Sequence, residues 1–556
     1  MSSRISQLGR QAVARALHLP PPTCEYTIHR AVEVPMRDGV RLLADHYRPL
    51  TDSPAGTLLV RAPYGRRFPF TTLFAGIYAS RGYHVVFQSV RGTFGSGGEF
   101  TPMVNEVDDG RDTAAWLRVQ PWFTGTFATI GLSYLGFTQW ALLTDPPPEL
   151  AAAVISVGPH DFAESSWGTG AFSLNDFLGW SHMMAHQEDP NPVRAIVRQA
   201  RAGRHVAAAT MALPVGAAGR QLLGAGAPWY ESWLQPPDED PAQWARLAVP
   251  EALERAAVPV LLISGWQDLF LDQTLAQFRR LRERGVTTAL TVGSWTHTQL
   301  MRNGAPVVLR ETLDWLDTYL AGRPSAPRSS VRVHVNGAPG RGWVDLPDWP
   351  PRTGERVLYL RAGGGLAEVP GADGRTSTFT YQPADPTPTV GGRLLSDKGG
   401  YREDSALAAR ADVLTFTGDP LPAELYSVGV PVIELAHHSD NPHHDLFVRI
   451  SEVDSAGRSR NVSDGFRRYT PASVASVETV RIELDAIAHR FAAGSRIRVL
   501  VAGGSHPRFA RNLGTGEPTE TGQTMRASTR TVRHDERSRL ILPAGADFVA
   551  GPSSAD

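Results

Sequence analysis

Lysine is almost absent. Of 55 basic residues one, Lys398, is lysine and the others are arginine. Gly399 follows it, so the chain has no Gly-Lys-Ser/Thr phosphate loop. A Schiff-base mechanism would have this one candidate, in a glycine-rich loop. A single cysteine, Cys24, excludes an intramolecular disulfide and a thiolate metal cluster. The 55 basic residues face 56 acidic ones, a formal charge of -1. That leaves no whole-chain basic field for nucleic acid or an anionic membrane. No apolar run approaches the ~20 residues needed to span a bilayer. Met1–Pro20 carries Arg4, Arg10 and Arg15 among short apolar pieces and lacks the apolar core of a secretory signal. The expected location is the cytoplasm.

The chain has 556 residues, 42% hydrophobic and 20% charged, enough for large cores and several domains. Its 53 glycines and 43 prolines are spread as punctuation, which implies many turns. After a leader over 1–25, strand and helix alternate across 26–160. Thr57–Val60, His84–Phe87, Phe127–Ile130 and Ala151–Val157 read as strands, and Phe70–Arg81, Asp108–Gln120 and Thr138–Leu143 as helices. That alternation predicts a parallel sheet covered on both faces. Residues 161–254 carry Trp, Met, Ala and Arg at helical spacing and predict an inserted helical cap. Strand and helix return over 255–325, at Val260–Ser264, Gln273–Arg284, Thr288–Val292 and Val307–Leu320. Over 326–556 the period changes to two, with short strands at Ser330–Asn336, Arg356–Leu360, Val432–Ala436, Leu446–Ile450, Val477–Leu484 and Arg496–Val501. This predicts a C-terminal β-sandwich.

The strongest chemical signal is Gly131-Leu-Ser133-Tyr134-Leu-Gly136, between a strand and a helix. A nucleophilic serine needs a tight strand–turn–helix corner, where small residues let the helix pack close and the next backbone N–H faces the reacting carbonyl. The Gly-x-Ser-x-Gly form is not met, since Leu135 stands where the second glycine would be. A serine also needs a base, and the base an orienting carboxylate, in the order serine, acid, histidine. Gly265-Trp-Gln-Asp268 follows one strand and Gly293-Ser-Trp-Thr-His297 the next. Both lie at strand carboxyl ends, where open parallel sheets place their sites. Asp272 is the rival for the acid, because an Asp after a strand is often only a helix cap.

These motifs resemble the cocaine esterase-type (CocE/NonD) hydrolases, a group related to α-amino acid ester hydrolases and X-prolyl dipeptidyl peptidases. Arg37-Asp-Gly-Val-Arg-Leu42, Val90-Arg-Gly-Thr-Phe-Gly-Ser-Gly-Gly-Glu-Phe100, Gln120-Pro-Trp122 and, near the C-terminus, Asp445–Ile450 with Gly457-Arg-Ser459 extend the resemblance over nearly the whole chain. It implies an α/β-hydrolase domain with an inserted helical cap and a C-terminal jelly-roll β domain. The Ser-Tyr-x-Gly spacing is the family's own. Ser89 departs from it, standing where relatives usually carry Asp. The resemblance also implies that Tyr64, in Arg61-Ala-Pro-Tyr64-Gly65, joins the Tyr134 N–H in stabilising an oxyanion. A tyrosine hydroxyl suits that task because packing of its ring can fix the donor. The expected reaction is ester cleavage through an acyl-enzyme, with Ser133 as nucleophile, His297 as base and Asp268 as its orienting acid. No metal or organic cofactor is expected, and the partner is a small-molecule ester.

In relatives that recognise an α-amino group, acidic residues stand two and three places after the triad acid. Here those places hold Phe270 and Leu271. A buried cation would find no partner there, which favours apolar or aromatic acyl esters. Trp167, Trp180 and Phe270 are candidate walls of an acyl pocket, with cap–domain core as their alternative role. A dipeptidyl peptidase or β-lactam acylase would use the same catalytic residues, and a non-catalytic carbohydrate-binding protein is the remote alternative. His437, His438, His443 and His444 invite a metal reading, but adjacent strand residues point to opposite faces. A homo-oligomer is compatible with the sequence.

Overall fold

In a computed structural model, which describes residues 2–324, 327–337, 342–371, 374–471 and 479–545, ten strands form the central sheet. They are β1 Tyr26–Pro35, β2 Arg41–Pro49, β3 Gly56–Ala62, β4 Tyr83–Ser89, β5 Phe127–Leu132, β6 Leu150–Ser156, β7 Val260–Gln267, β8 Thr288–Thr296, β9 Val331–His334 and β10 Trp343–Leu346. Their order is β1-β2-β4-β3-β5-β6-β7-β8-β9-β10. From β4 to β9 every neighbouring pair is parallel, while β1–β2, β2–β4 and β9–β10 are antiparallel. β3 and β4 are buried along their whole length, because helices cover both faces of a parallel sheet.

On one face the helices Glu106–Arg118, Tyr134–Leu143 and Leu271–Glu283 place Leu117, Phe137, Trp140, Phe278 and Leu281 in a core shared with the cap. On the other, Phe74, Tyr78, Val308, Leu313 and Leu316 form a second core. The helix expected over Phe70–Arg81 is a π-helical turn, Thr72–Gly76, followed by one α-turn, Ile77–Ala79. The segment expected as a leader packs on the sheet: it carries the helix Ser2–Ala16, and Ala14 and Leu19 join the second core.

Residues 161–254 are helical, from Phe162–Trp167 to Glu251–Arg255, around Phe162, Phe177, Trp180, Trp233 and Trp244. The strand expected over Ser330–Asn336 differs in its place. It pairs in parallel with β8, so the α/β sheet continues past residue 326 to Leu346. Its alternating Val331, Val333 and Val335 suit either sheet, and period alone does not say which one a strand joins. From Gly354 onward thirteen strands among the described residues enclose a separate core containing Leu358, Leu435, Val448, Ile482 and Val499. Of the strand expected at Val477–Leu484, Val480–Glu483 is present and residues 477–478 lie outside the described ones. Among the described residues no helix is long and apolar enough to cross a membrane.

Candidate active site

β5 ends directly at Ser133, which caps the helix Tyr134–Leu143 with φ 60° and ψ −122°. Non-glycine residues rarely occupy that region. The strain is held by a hydrogen bond from the Ser133 N–H to the Ser156 carbonyl, 3.0 Å, while the Ser133 carbonyl accepts from Gly136 N–H at 2.8 Å. The flanking glycines have steric reasons. A Cβ on Gly131 would stand 2.4 Å from Leu135 Cβ, and one on Gly136 would stand 2.5 Å from Gly158 Cα. Close approach to Gly158, in the loop after β6, is why the second small residue stands three places after the serine. The Tyr134 N–H heads the helix, where it has no intrahelical acceptor.

The Gly-Trp-x-Asp and Gly-x-Trp-x-His segments follow the same logic. A Cβ on Gly265 would meet the Trp295 carbonyl oxygen at 2.1 Å, and one on Gly293 would meet the Trp295 ring at 2.3 Å. The two glycines let the carboxyl ends of β7 and β8 close together. Trp295 Nε1 donates to the Ser264 carbonyl at 3.1 Å and Trp266 Nε1 to the His334 carbonyl at 2.7 Å, anchoring both loops. Asp268 Oδ2 then lies 2.6 Å from His297 Nδ1, and its Oδ1 accepts the Phe270 N–H at 2.7 Å. Asp268 is 0% exposed and His297 9%. Asp272, the rival acid, is taken by Arg393, which donates to both its oxygens at 2.6 and 2.9 Å.

Tyr64 follows β3. Its hydroxyl accepts from Trp180 Nε1 at 3.1 Å. Indole N–H is only a donor, so the Tyr64 proton points away from Trp180. Burial pushes the Tyr64 hydroxyl up to about 12, and it keeps that proton. The Trp180 ring stacks on the Tyr134 ring, 6.2 Å between centroids and 7° between planes. Phe270 meets the His297 ring edge-on at 5.5 Å. Trp167 stands elsewhere: its Nε1 donates to the Trp233 carbonyl at 3.0 Å and its ring packs on Phe172, both within the cap.

Three arrangements lay beyond the sequence reading. The Tyr134 hydroxyl donates to Glu106 Oε1 at 2.8 Å and accepts the Met103 N–H at 2.8 Å, while Arg61 lies 2.9 Å from Glu106. This buried network ties the residue after the serine to β3. Ser89 receives Arg66 Nη1, whose charge is met at 3.1 Å by Asp45 of β2. The cap residue Asp176 is buried, its Oδ1 accepting Leu395 N–H at 2.9 Å and Asn175 Nδ2 at 2.8 Å. Burial raises its carboxyl, against the opposing charges of Arg508 and His297. All three join residues far apart in the chain, and only the glutamate and aspartate types hinted at them. Elsewhere, His437 and His444 face each other at 5.1 Å, and His444 stacks on Tyr469 at 5.0 Å. Among the described residues no three His, Cys, Asp or Glu gather in a metal-holding group.

Residues 38–299 match the family model of the X-Pro dipeptidyl-peptidase (S15 family), and 325–541 match that of the X-Pro dipeptidyl-peptidase C-terminal non-catalytic domain. The chain is 31% identical over 572 residues to cocaine esterase of Rhodococcus sp. (strain MB1 Bresler), covering 93% of this chain and 98% of that one. Among solved structures, an α-amino acid ester hydrolase is similar with a TM-score of 0.76 and 22% identity, covering 94% of this chain and 97% of the other. An aminopeptidase from a marine sediment Thaumarchaeota archaeon has the same TM-score of 0.76 and 22% identity, covering 93% and 96%. At that identity the two structures speak for the fold.

Proposed function

The chain belongs to the cocaine esterase-type (CocE/NonD) hydrolases and is a serine ester hydrolase, and on that premise we propose that it works through a Ser133–His297–Asp268 triad with Tyr64 and the Tyr134 N–H as oxyanion donors. The buried 2.6 Å contact between Asp268 and His297 carries this proposal. His297 removes the Ser133 proton as the serine oxygen attacks the ester carbonyl. Asp268 holds the imidazole in orientation and stabilises its cationic form. Negative charge on the carbonyl oxygen is met by the Tyr64 O–H and the Tyr134 N–H. His297 returns the proton to the departing alcohol, and water attacks the acyl-enzyme by the same sequence.

Trp180 and Phe270 supply apolar surface next to Tyr64 and His297, which suits a small-molecule ester with an apolar or aromatic acyl group. Trp167 acts beneath them by holding the cap core together. One observation favours the amine-recognising alternative: the cap supplies a buried carboxylate, Asp176, held by the Leu395 N–H. Rates on p-nitrophenyl esters and on Gly-Pro-p-nitroanilide, for the wild type and Ser133→Ala, separate these readings. Ester turnover lost in Ser133→Ala, with no anilide cleavage, is expected. Anilide cleavage would hand the substrate preference to the alternative, and ester turnover that survives in Ser133→Ala would overturn the mechanism.

A further inference from the structure

We propose that Arg393, supplied by the β domain, is a positioning residue for ester hydrolysis: it clamps the loop that carries Asp268 and supplies part of the charge around the Asp268–His297 pair. This rests on the triad proposed above. Asp268 sits in a short turn in which its N–H bonds the Gly265 carbonyl at 2.9 Å, and the helix Leu271–Glu283 begins three residues later. Asp272, in the first turn of that helix, is gripped by both terminal nitrogens of Arg393. A forked guanidinium fixes the orientation of a carboxylate as well as its distance. Arg393 is 4% exposed, and its Nη2 also reaches Asp485 of the β domain at 3.2 Å. Burial opposes its charge, yet Asp272 and Asp485 more than offset that and hold the guanidinium protonated.

The arm bearing Arg393 is braced by its own backbone and packs closely on the β domain. Gly392 and Gly400 exchange hydrogen bonds of 2.9 and 2.8 Å, and Gly391 and Gly392 take φ of 62° and 78°. A Cβ on Gly392 would stand 2.4 Å from Asp464 Oδ2, so only glycine lets the arm lie this close. The same arm meets the cap through the Leu395 N–H on Asp176, and Gly400 lies against Thr296, the residue before His297. One β-domain loop therefore touches the acid loop, the histidine loop and the cap.

The charges around the clamp come from every layer. Asp268 and Asp272 belong to the α/β domain, Asp176 and Glu164 to the cap, and Asp464, Asp485 and Arg508 to the β domain; Glu164 lines the same crevice as Asp272, and Arg508 lies 3.2 Å from Asp464. The Arg393 cation is held on Asp272, four residues after Asp268 and in the first turn of the helix that follows it. The Asp272 side chain faces a polar crevice of about 490 Å³ between the three layers, so the clamp is screened on that side. Removing the Arg393 cation leaves the imidazolium of His297 less opposed, and the acid limb of kcat/KM moves to higher pH. Removing the Asp272 anion moves it the other way.

The test compares wild type, Arg393→Gln, Arg393→Lys and Asp272→Asn on p-nitrophenyl butyrate across pH 5 to 9, with a melting curve for each. Arg393→Gln is expected to lower kcat by about 10–100-fold, as for a small misplacement of a reacting group, with KM changed by less than about 3-fold. Its acid limb is expected to rise by about half a unit or more. Arg393→Lys keeps the charge, so its limb stays at the wild-type position while kcat partly recovers. Asp272→Asn shifts the limb downward. Equal losses in the Gln and Lys variants that follow their melting temperatures, with all limbs unmoved, would overturn the proposal. If Arg393→Gln does not fold, the downward shift in Asp272→Asn and the unmoved limb in Arg393→Lys still decide it. Failure of the triad itself would be seen separately, as activity surviving in Ser133→Ala.

Discussion

Replacing Tyr64 by Phe removes one oxygen and leaves the ring in place. In the folded protein that oxygen accepts the Trp180 N–H at 3.1 Å. Its own proton is the one proposed to meet the oxygen of the reacting carbonyl. Loss of one oxyanion donor costs about 2.7–4 kcal/mol of transition-state stabilisation, or about 10²–10³ in kcat. KM should change little, because the bond strengthens only as charge develops. The orphaned indole N–H adds a folding cost of about 1–3 kcal/mol. Trp180→Phe separates the two effects: it keeps the Tyr64 hydroxyl and removes the partner that orients it, so kcat should fall by about 10-fold or less. The assay is steady-state hydrolysis of p-nitrophenyl butyrate, with thermal melting to follow stability. A Tyr64→Phe enzyme whose kcat stays within about threefold of wild type would remove Tyr64 from the oxyanion hole.

Gly265→Ala should separate the two loops of the pair, because its Cβ would meet a backbone oxygen at 2.1 Å. The expected result is a loss of about 1–3 kcal/mol in stability together with a drop in kcat, and a normal melting curve with normal kcat would refute it. Stability should also fall in mild acid. Burial lowers His46 to about 3 and His84, His444 and His506 to about 4, all from an ordinary value of 6.5. Between those values the unfolded chain binds more protons than the folded one, so stability falls as pH drops from about 6.5 toward 4. Each histidine adds up to about 1.4 kcal/mol per pH unit. A melting temperature that does not change between pH 7 and pH 5 would contradict this.

The local parts of this molecule are legible in its sequence, and the long-range parts much less so. The strand, serine, helix corner can be read at Phe127–Leu143 because its constraints lie within a few residues: a buried apolar run, a turn and two glycines. The loops bearing Asp268 and His297 are legible for the same reason, each standing directly after a β-strand. Asp268 faces the histidine while Asp272 meets Arg393, more than a hundred residues later, and spacing cannot decide between partners that far apart. Trp180 reads as a candidate wall of the acyl pocket, but its bond to Tyr64 is not legible, because it joins two segments far apart in the chain. Likewise Val331–His334 has the alternation of a sandwich strand, yet it pairs with β8. Periodicity reports a strand's two faces and says nothing about its neighbour. Asp176 and the Arg61–Glu106–Tyr134 network escaped for the opposite reason: an acidic residue in a helix usually faces water, and here both are buried.

The central claim is that Ser133 is the nucleophile activated by His297. Its most direct test is to treat the whole protein with a fluorophosphonate, digest it, and locate the adduct by peptide mass spectrometry, with His297→Ala alongside. One adduct is expected, on Ser133, formed in step with loss of ester turnover and nearly absent in His297→Ala. An adduct on another residue, or an active enzyme that takes none, would contradict it.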